Sequence, residues 1–330
     1  MTIFGKVSWN VILLLILVVE LGLFGFAEPY FVQPVNLLFN TSDFIHIALV
    51  ALPLTLVLIG GGIDVSFGST IGLSSIVLGF AFTLGLNIWL AAIIAILVGG
   101  IAGTINGLII TFTKVQPLVI TLATLYLYSG VAVVISGSLG ADGYEGISGF
   151  PAAFSNLANL TYGGFPLPLV IFVFLALAFS VFLHQTRTGR YIYLTGINPV
   201  SARFTAIPAK QVVILTYAFV GFVSGVAGVL LTSYFASARA DIAATALLPT
   251  ITVVVLGGAS IYGGTGSILG TVIAAFIMGY LQQGLQILGI SSLVSSTLSG
   301  VLLIVVILGK NLFSTLYEVV TRRSLLRSGR

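Results

Sequence analysis

Charge is what this sequence of 330 residues has least of. Lysine, arginine, aspartate and glutamate together make up 6% of it, against about 25% in an ordinary soluble domain. So few charges cannot cover a water-facing surface, which excludes a soluble protein with an oversized core. There is no cysteine, and that excludes disulfide scaffolds, thiol nucleophiles and cysteine metal sites. The two histidines, His46 and His184, lie far apart with no ligand spacing, so each reads as an interfacial or helix-end residue and no metal site is expected. A phosphate-cradling G-x-x-x-x-G-K-[ST] loop is also missing, so the chain cannot bind ATP by that device. The net charge of +4 is no sign of a nucleic-acid partner. The cations sit between apolar runs and at the C-terminus, which is a membrane-orientation signal.

What is present is apolar. Hydrophobic residues make up 58% of the chain, in runs near 20 residues, the length a helix needs to cross a bilayer. The fold expected is all-α, a polytopic helical membrane protein in a single domain over 1–330. Ten transmembrane helices fit, at about 10–27, 44–60, 69–86, 88–112, 117–136, 167–184, 212–233, 247–258, 267–288 and 292–309. The first run contains Glu20, is longer than a signal-peptide core and is followed by further spans, so it reads as a retained helix. The eighth is too short to cross alone and needs irregular backbone, tilt or packing to complete it.

Charge tests this parity. With the N-terminus inside, the inner segments hold Lys6, Lys114, Arg187, Arg190, Arg203, Lys210, Lys310, Arg322, Arg323, Arg327 and Arg330, which is eleven of the twelve basic residues. The outer segments hold Glu28, Asp43, Asp142, Glu145 and Asp241, with Arg239 as their one cation. Both termini are therefore expected in the cytoplasm. The outer segment from Gly137 to Leu167 has room for a turn or short helix.

Glycine is abundant, and its placement is informative. Gly68/Gly72, Gly99/Gly103/Gly107, Gly221/Gly225 and Gly266/Gly270 repeat at four-residue spacing, which predicts helix faces open to close backbone approach. Two stretches, Gly60–Gly68 (GGGIDVSFG) and Gly257–Gly266 (GGASIYGGTG), break apolar runs with clustered glycine. Non-helical backbone at membrane depth is tolerated only beside protein or a water-filled cavity, and in transporters it points to the solute path.

Asp64 stands in the first break. Its carboxylate either caps the next helix, accepting from the backbone N–H groups of Ser66 and Phe67, or touches solute directly. Glu20 is expected to pair with a neighbouring helix. Asn106, Thr121 and Gln282 are polar side chains in apolar spans, with interhelical hydrogen bonds as their default role. A relay of intramembrane charges is missing, so any driving energy is expected from a partner. Between two spans, Asn198 is a good N-cap, Pro199 suits the first turn and Pro208 ends the helix. The short cytoplasmic helix so defined, with Ser201 and Arg203 on it, is placed to pass a partner's movement to the membrane helices, or is inert.

These segments together resemble the sugar-type permeases of bacterial ABC importers, the group that contains the ribose permease. The likeness rests on 60–68, on 103–107 (GTING), on 116–122 (QPLVITL), on Thr188-Gly189-Arg190 leading to Gly196 and Asn198, and on 255–258 leading to 262–266. Within the group, 38–45 (LFNTSDFI), 143–151 (GYEGISGFP), 237–241 (SARAD) and 279–286 (GYLQQGLQ) are similar to the D-type permeases of autoinducer-2 importers. The resemblance implies an inner-membrane, non-catalytic subunit without a cofactor. It implies three partners: a second related permease, a cytoplasmic ATP-binding subunit and a periplasmic solute-binding protein. Asp64, Ser66, Asn106, Thr121 and Gln282 are the expected substrate path. Asn198, Pro199, Ser201 and Arg203 are the expected contact with the ATPase, and Asp142 and Glu145 the expected docking surface for the binding protein. Ribose or another monosaccharide is the alternative cargo, and an ion-coupled carrier acting alone is the reading from another class.

Overall fold

The computed structural model describes residues 9–113, 115–138, 146–198, 207–291, 294–295 and 297–306. Its main helices are α1 (Trp9–Ala27), α2 (Pro34–Ile59), α3 (Phe67–Thr83), α4 (Ile88–Phe112) and α5 (Pro117–Gly137). After a connection holding the single turn α6 (Ala152–Ser155) come α7 (Leu167–Gln185) and α8 (Arg187–Ile197). They are followed by α9 (Ala209–Phe235), α10 (Leu247–Leu256) and α11 (Ile268–Ile287), with α12 at Thr297–Val306. Seven of these, α1, α2, α4, α5, α7, α9 and α11, are long and apolar enough to cross a membrane.

The helix starts follow local chemistry. Proline opens α2, α5 and α7 at their first turns, where its missing N–H costs nothing. Asn87 caps α4 by accepting from Trp89 N, and Thr186 caps α8 by accepting from Gly189 N. The helices match the expected apolar runs to within a few residues except at α2, which begins about ten residues early, at Pro34, and at the tenth run, described as the helix Thr297–Val306. The polar residues Asn36–Asp43 lie outside the apolar run but still lie on its helix. At 10 residues, α10 is roughly 15 Å long and cannot cross a bilayer alone, as its sequence predicts.

The core is centred on α2, buried along almost all of its apolar length, whereas α1 lies at the periphery. Around α2 are packed α7, α9, α10 and α11, and a second apolar cluster joins α3, α4 and α5 with Phe150 and Phe154. The closest pairing is α4 with α9, and glycine explains it. A Cβ on Gly99 would lie 2.6 Å from Gly221 O, and one on Gly225 would lie 2.7 Å from Ile96 Cα. The two four-residue glycine repeats therefore face each other across one seam. The Gly266/Gly270 repeat behaves otherwise. Gly266 precedes α11, in the break, and only Gly270 is helical, packed against Gly257. The connection between α5 and α7 contains a hairpin, Thr161–Tyr162 with Phe165–Pro166, turned through Gly163 and Gly164, both at positive φ.

Candidate functional site

The first break begins where α2 ends. Gly61 N and Gly62 N close the helix onto Leu58 O and Val57 O, with Gly61 in the left-handed region at φ 81°. The chain then runs without regular secondary structure through Asp64 until Ser66 O accepts from Thr70 N and starts α3. Asp64 is 1% exposed. Its Oδ1 accepts from Ser66 N at 2.8 Å and from Ser66 Oγ at 2.7 Å. Of the two backbone donors expected, Ser66 N is therefore the one engaged. The Ser66 hydroxyl also accepts from Asn106 Nδ2 at 2.8 Å. Asn106 Oδ1 in turn faces Tyr128 OH at 3.1 Å, a hydroxyl that also lies 2.9 Å from Ala102 O.

One residue earlier, Ile63 O is held by Tyr217 OH at 3.0 Å, with Thr121 Oγ1 at 3.4 Å. Four helices thus hold the break. Ser66 belongs to the start of α3, Asn106 to α4, Thr121 and Tyr128 to α5, and Tyr217 to α9. A buried carbonyl without such donors would cost about 1–3 kcal/mol, and a buried carboxylate more. Gly62 lets Tyr217 in, since a Cβ there would sit 2.7 Å from its hydroxyl oxygen.

Four of the five expected path residues, Asp64, Ser66, Asn106 and Thr121, come together here. Gln282 does not. It lies on α11 and donates from Nε2 to Ser299 Oγ of α12 at 3.2 Å, the interhelical role its sequence suggests. Tyr128 and Tyr217 were not singled out by sequence. Twelve tyrosines gave no way to tell hydroxyls that grip the break from those at an interface. Glu20 also departs from expectation, since its buried carboxylate oxygens have no hydrogen-bond partner among the described residues.

The second break, from Gly257 to Ser267, packs directly on the first. Gly264 N donates to Ile59 O, the last residue of α2, at 2.8 Å. Beside this junction lies the end of α8, where Tyr193 OH donates to Gly266 O at 2.8 Å. Burial raises the pKa of the Tyr193 phenol, so it stays a neutral donor. Asn198 follows immediately, its N–H closing α8 onto Leu194 O. Pro199, Ser201 and Arg203 lie outside the described residues.

At the opposite end of the helices, Asp43 accepts from Tyr234 OH and from Gln283 Nε2. It borders a recess of about 170 Å³ that Asn40 and Asn159 also line. Nearby, Ile147 and Ala238 form a two-way backbone bridge, and Arg239 pairs with Asp241 at 2.8 Å. Hydrogen bonding and charge from Asp241 raise the Arg239 pKa further. Asp142 and Glu145, the expected docking pair, lie outside the described residues. Among the described residues no group of three His, Asp or Glu side chains could hold a metal ion.

Residues 36–307 match the family described as the branched-chain amino acid transport system permease component. The chain belongs to this permease family. It is 50% identical over 326 residues to the autoinducer 2 import system permease protein LsrD of Yersinia enterocolitica, covering 98% of each chain. With the protein of the same name from Escherichia coli K12 it shares 52% identity over 306 residues, 93% of each. A solved structure, PsaBC from Streptococcus pneumoniae in complex with Fab, aligns at TM-score 0.48 and 13% identity over 86% of this chain and 92% of that one. Family and spanning helices make the protein a multi-pass inner-membrane permease.

Proposed function

We propose that the protein is a membrane subunit of an ATP-driven, binding-protein-dependent importer that carries autoinducer-2. The observation that carries this reading is the identity of about half its residues, over nearly its whole length, with permeases named for that import. The chain has no phosphate loop of its own, so a separate cytoplasmic subunit supplies ATP hydrolysis and this subunit catalyses nothing. A second related permease completes the membrane unit, and a periplasmic protein delivers the solute. The remaining short helices α3, α10 and α12 complete ten crossings of one domain, with both termini in the cytoplasm.

The solute path borders the first break. Asp64, Ser66, Asn106 and Thr121 supply its polar lining or hold the backbone that does, and Gln282 lines it further along α11. A furanose-like neutral solute offers hydroxyls, which call for hydrogen-bond partners and gain nothing from fixed charge. Segment 198–206 contacts the ATPase, and Asp142 and Glu145 receive the binding protein. The test is uptake of labelled autoinducer-2 and ribose into vesicles holding the full complex, with and without ATP. ATP-dependent uptake of autoinducer-2 well above ribose is expected. Preferred uptake of ribose, or uptake that follows an ion gradient without ATP, would overturn the reading.

A further inference from the structure

Movement at a cytoplasmic subunit has to reach the two breaks through some physical contact, and α8 is built for one. Along its outward face Arg187, Arg190, Leu194 and Ile197 are exposed, while Gly189, Ile192, Thr195 and Gly196 are buried. The buried face ends on backbone rather than side chains. A Cβ on Gly196 would collide with Ile59 O and lie 2.7 Å from Gly264 N. One on Gly263 would lie 2.7 Å from Gly196 O and 3.0 Å from Gly61 Cα. Backbone from α8, the first break and the second break thus meets directly at Gly196, Gly61 and Gly263. Tyr193 adds a side-chain hydrogen bond, to Gly266 O, and Ile197 packs beside Gly264. The other end of α8 is equally tight, since a Cβ on Gly189 would collide with Leu183 O of α7.

We infer that Tyr193 and Gly196 are positioning residues for transport, forming a rigid seat through which α8 drives both breaks together. The inference rests on the ATP-driven reading proposed above. Side chains between moving elements change rotamer and absorb displacement, whereas peptide against peptide transmits it. The receiving segments can respond. Gly61, Gly263 and Gly264 all have positive φ, and a few such residues can take up large backbone changes at a hinge. The second break also has space beside it, a recess of about 370 Å³ bordered by Trp9, Gly258 and Thr265. Through the first break the same motion reaches Asp64, three residues beyond Gly61. The sequence assigns contact with the ATPase to Asn198, Pro199, Ser201 and Arg203. The structure adds the surface on which that segment's movement bears.

The experiment uses the assembled complex in vesicles, with Gly196→Ala, Tyr193→Phe and, as a control, Gly130→Ala, where a Cβ meets nothing within 4 Å. Complex yield, ATP hydrolysis and autoinducer-2 uptake are measured for each. Gly196→Ala should lower uptake per ATP hydrolysed by at least about fivefold, the low end of ordinary coupling between sites. Tyr193→Phe should lower it less, and Gly130→Ala should not change it. Amide exchange across 60–66 and 260–266 gives a readout that does not depend on the solute. ATP should change exchange in both segments in the unaltered complex, and Gly196→Ala should abolish the change. Variants that assemble with unaltered uptake per ATP and unaltered nucleotide response would overturn the seat. Should Gly196→Ala fail to assemble, an unaltered ratio in Tyr193→Phe does the same. An unaltered complex with no ATP-dependent uptake would instead reject the functional reading, and the exchange response would still decide the seat.

Discussion

Gly103→Ala tests whether backbone contact sets the seam between α4 and α9. A Cβ at this position would strike Tyr217 O and lie 2.8 Å from Gly221 N and 2.9 Å from Gly221 Cα. All three are main-chain atoms of α9, so no side-chain rotation relieves the overlap. The helices have to separate, and Gly107 against Ile214 separates with them. Overpacking of this kind costs about 1–3 kcal/mol. Replacing a helical glycine with alanine returns roughly 0.5–1 kcal/mol of backbone entropy. With helix backbone as the obstacle the overpacking cost falls near its upper end, leaving a net loss of about 2 kcal/mol.

The same chemical change at Gly130 of α5 meets nothing within 4 Å. It keeps the gain and avoids the cost, so Gly130→Ala should be neutral or more stable by up to about 1 kcal/mol. Thermal unfolding of both variants in the same detergent or lipid reads the difference. The two midpoints should lie on opposite sides of the unaltered protein or, at the least, be several degrees apart. Equal stability of the two variants would refute the reasoning, because it would mean that the seam has slack.

The first break gives a second test. Asp64→Asn keeps an acceptor for Ser66 N and Ser66 Oγ, so ATP-driven uptake should largely survive. Asp64→Leu strands both donors in a buried site, at about 1–3 kcal/mol each, and uptake should fall severely. Equal and total loss in both variants, with full assembly, would point to a proton-relaying carboxylate. Glu20→Gln removes the cost of burying an ionisable carboxyl whose oxygens lack a partner among the described residues. It should raise the unfolding midpoint of the isolated subunit, and a lower midpoint would show that the carboxyl is engaged. Neutralising Asp142 and Glu145 together should slow association of the binding protein at low salt more than at high salt. An unchanged association rate at every salt concentration would reject their docking role.

Part of this architecture was legible because clustered or regularly spaced glycine has few readings in an apolar chain. The repeats at Gly99/Gly103/Gly107 and Gly221/Gly225 announced close helix faces, and the structure puts those faces together. The breaks at 60–68 and 257–266 announced non-helical backbone, and both occur. What sequence could not show was that the breaks meet. The bond from Gly264 N to Ile59 O joins residues about 200 positions apart, and backbone contacts carry no side-chain signature. The tyrosine hydroxyls failed for a related reason. Whether Tyr128 or Tyr217 faces lipid or a carbonyl depends on helix rotation, which an apolar helix does not reveal. Gly266 was misassigned to a helix face because four-residue spacing continues past a helix start that only Ser267, its cap, marks.

The two breaks are held in different ways, and that difference has a measurable consequence. Between Ile63 and Ser66 the first break is tied by side chains of three other helices, Asn106, Thr121 and Tyr217. Releasing it means breaking several buried hydrogen bonds at once, each worth about 0.5–1.5 kcal/mol net and more where a charge takes part. The second break closes mainly on itself, with Gly263 N donating to Ser260 O and Ser260 N to Thr265 O. Among the described residues, its stretch 260–266 is tied to other elements by one bond to Ile59 and one from Tyr193, and Tyr262 at its tip is 86% exposed. Local opening is cheapest where buried contacts are fewest. Amide exchange in the nucleotide-free complex should therefore be faster across 260–266 than across 62–66, and Tyr193→Phe should speed the former without altering the latter. Faster exchange at 62–66 would mean that the Asp64 network is the looser element, and the direction of transmission argued from α8 would have to be reversed.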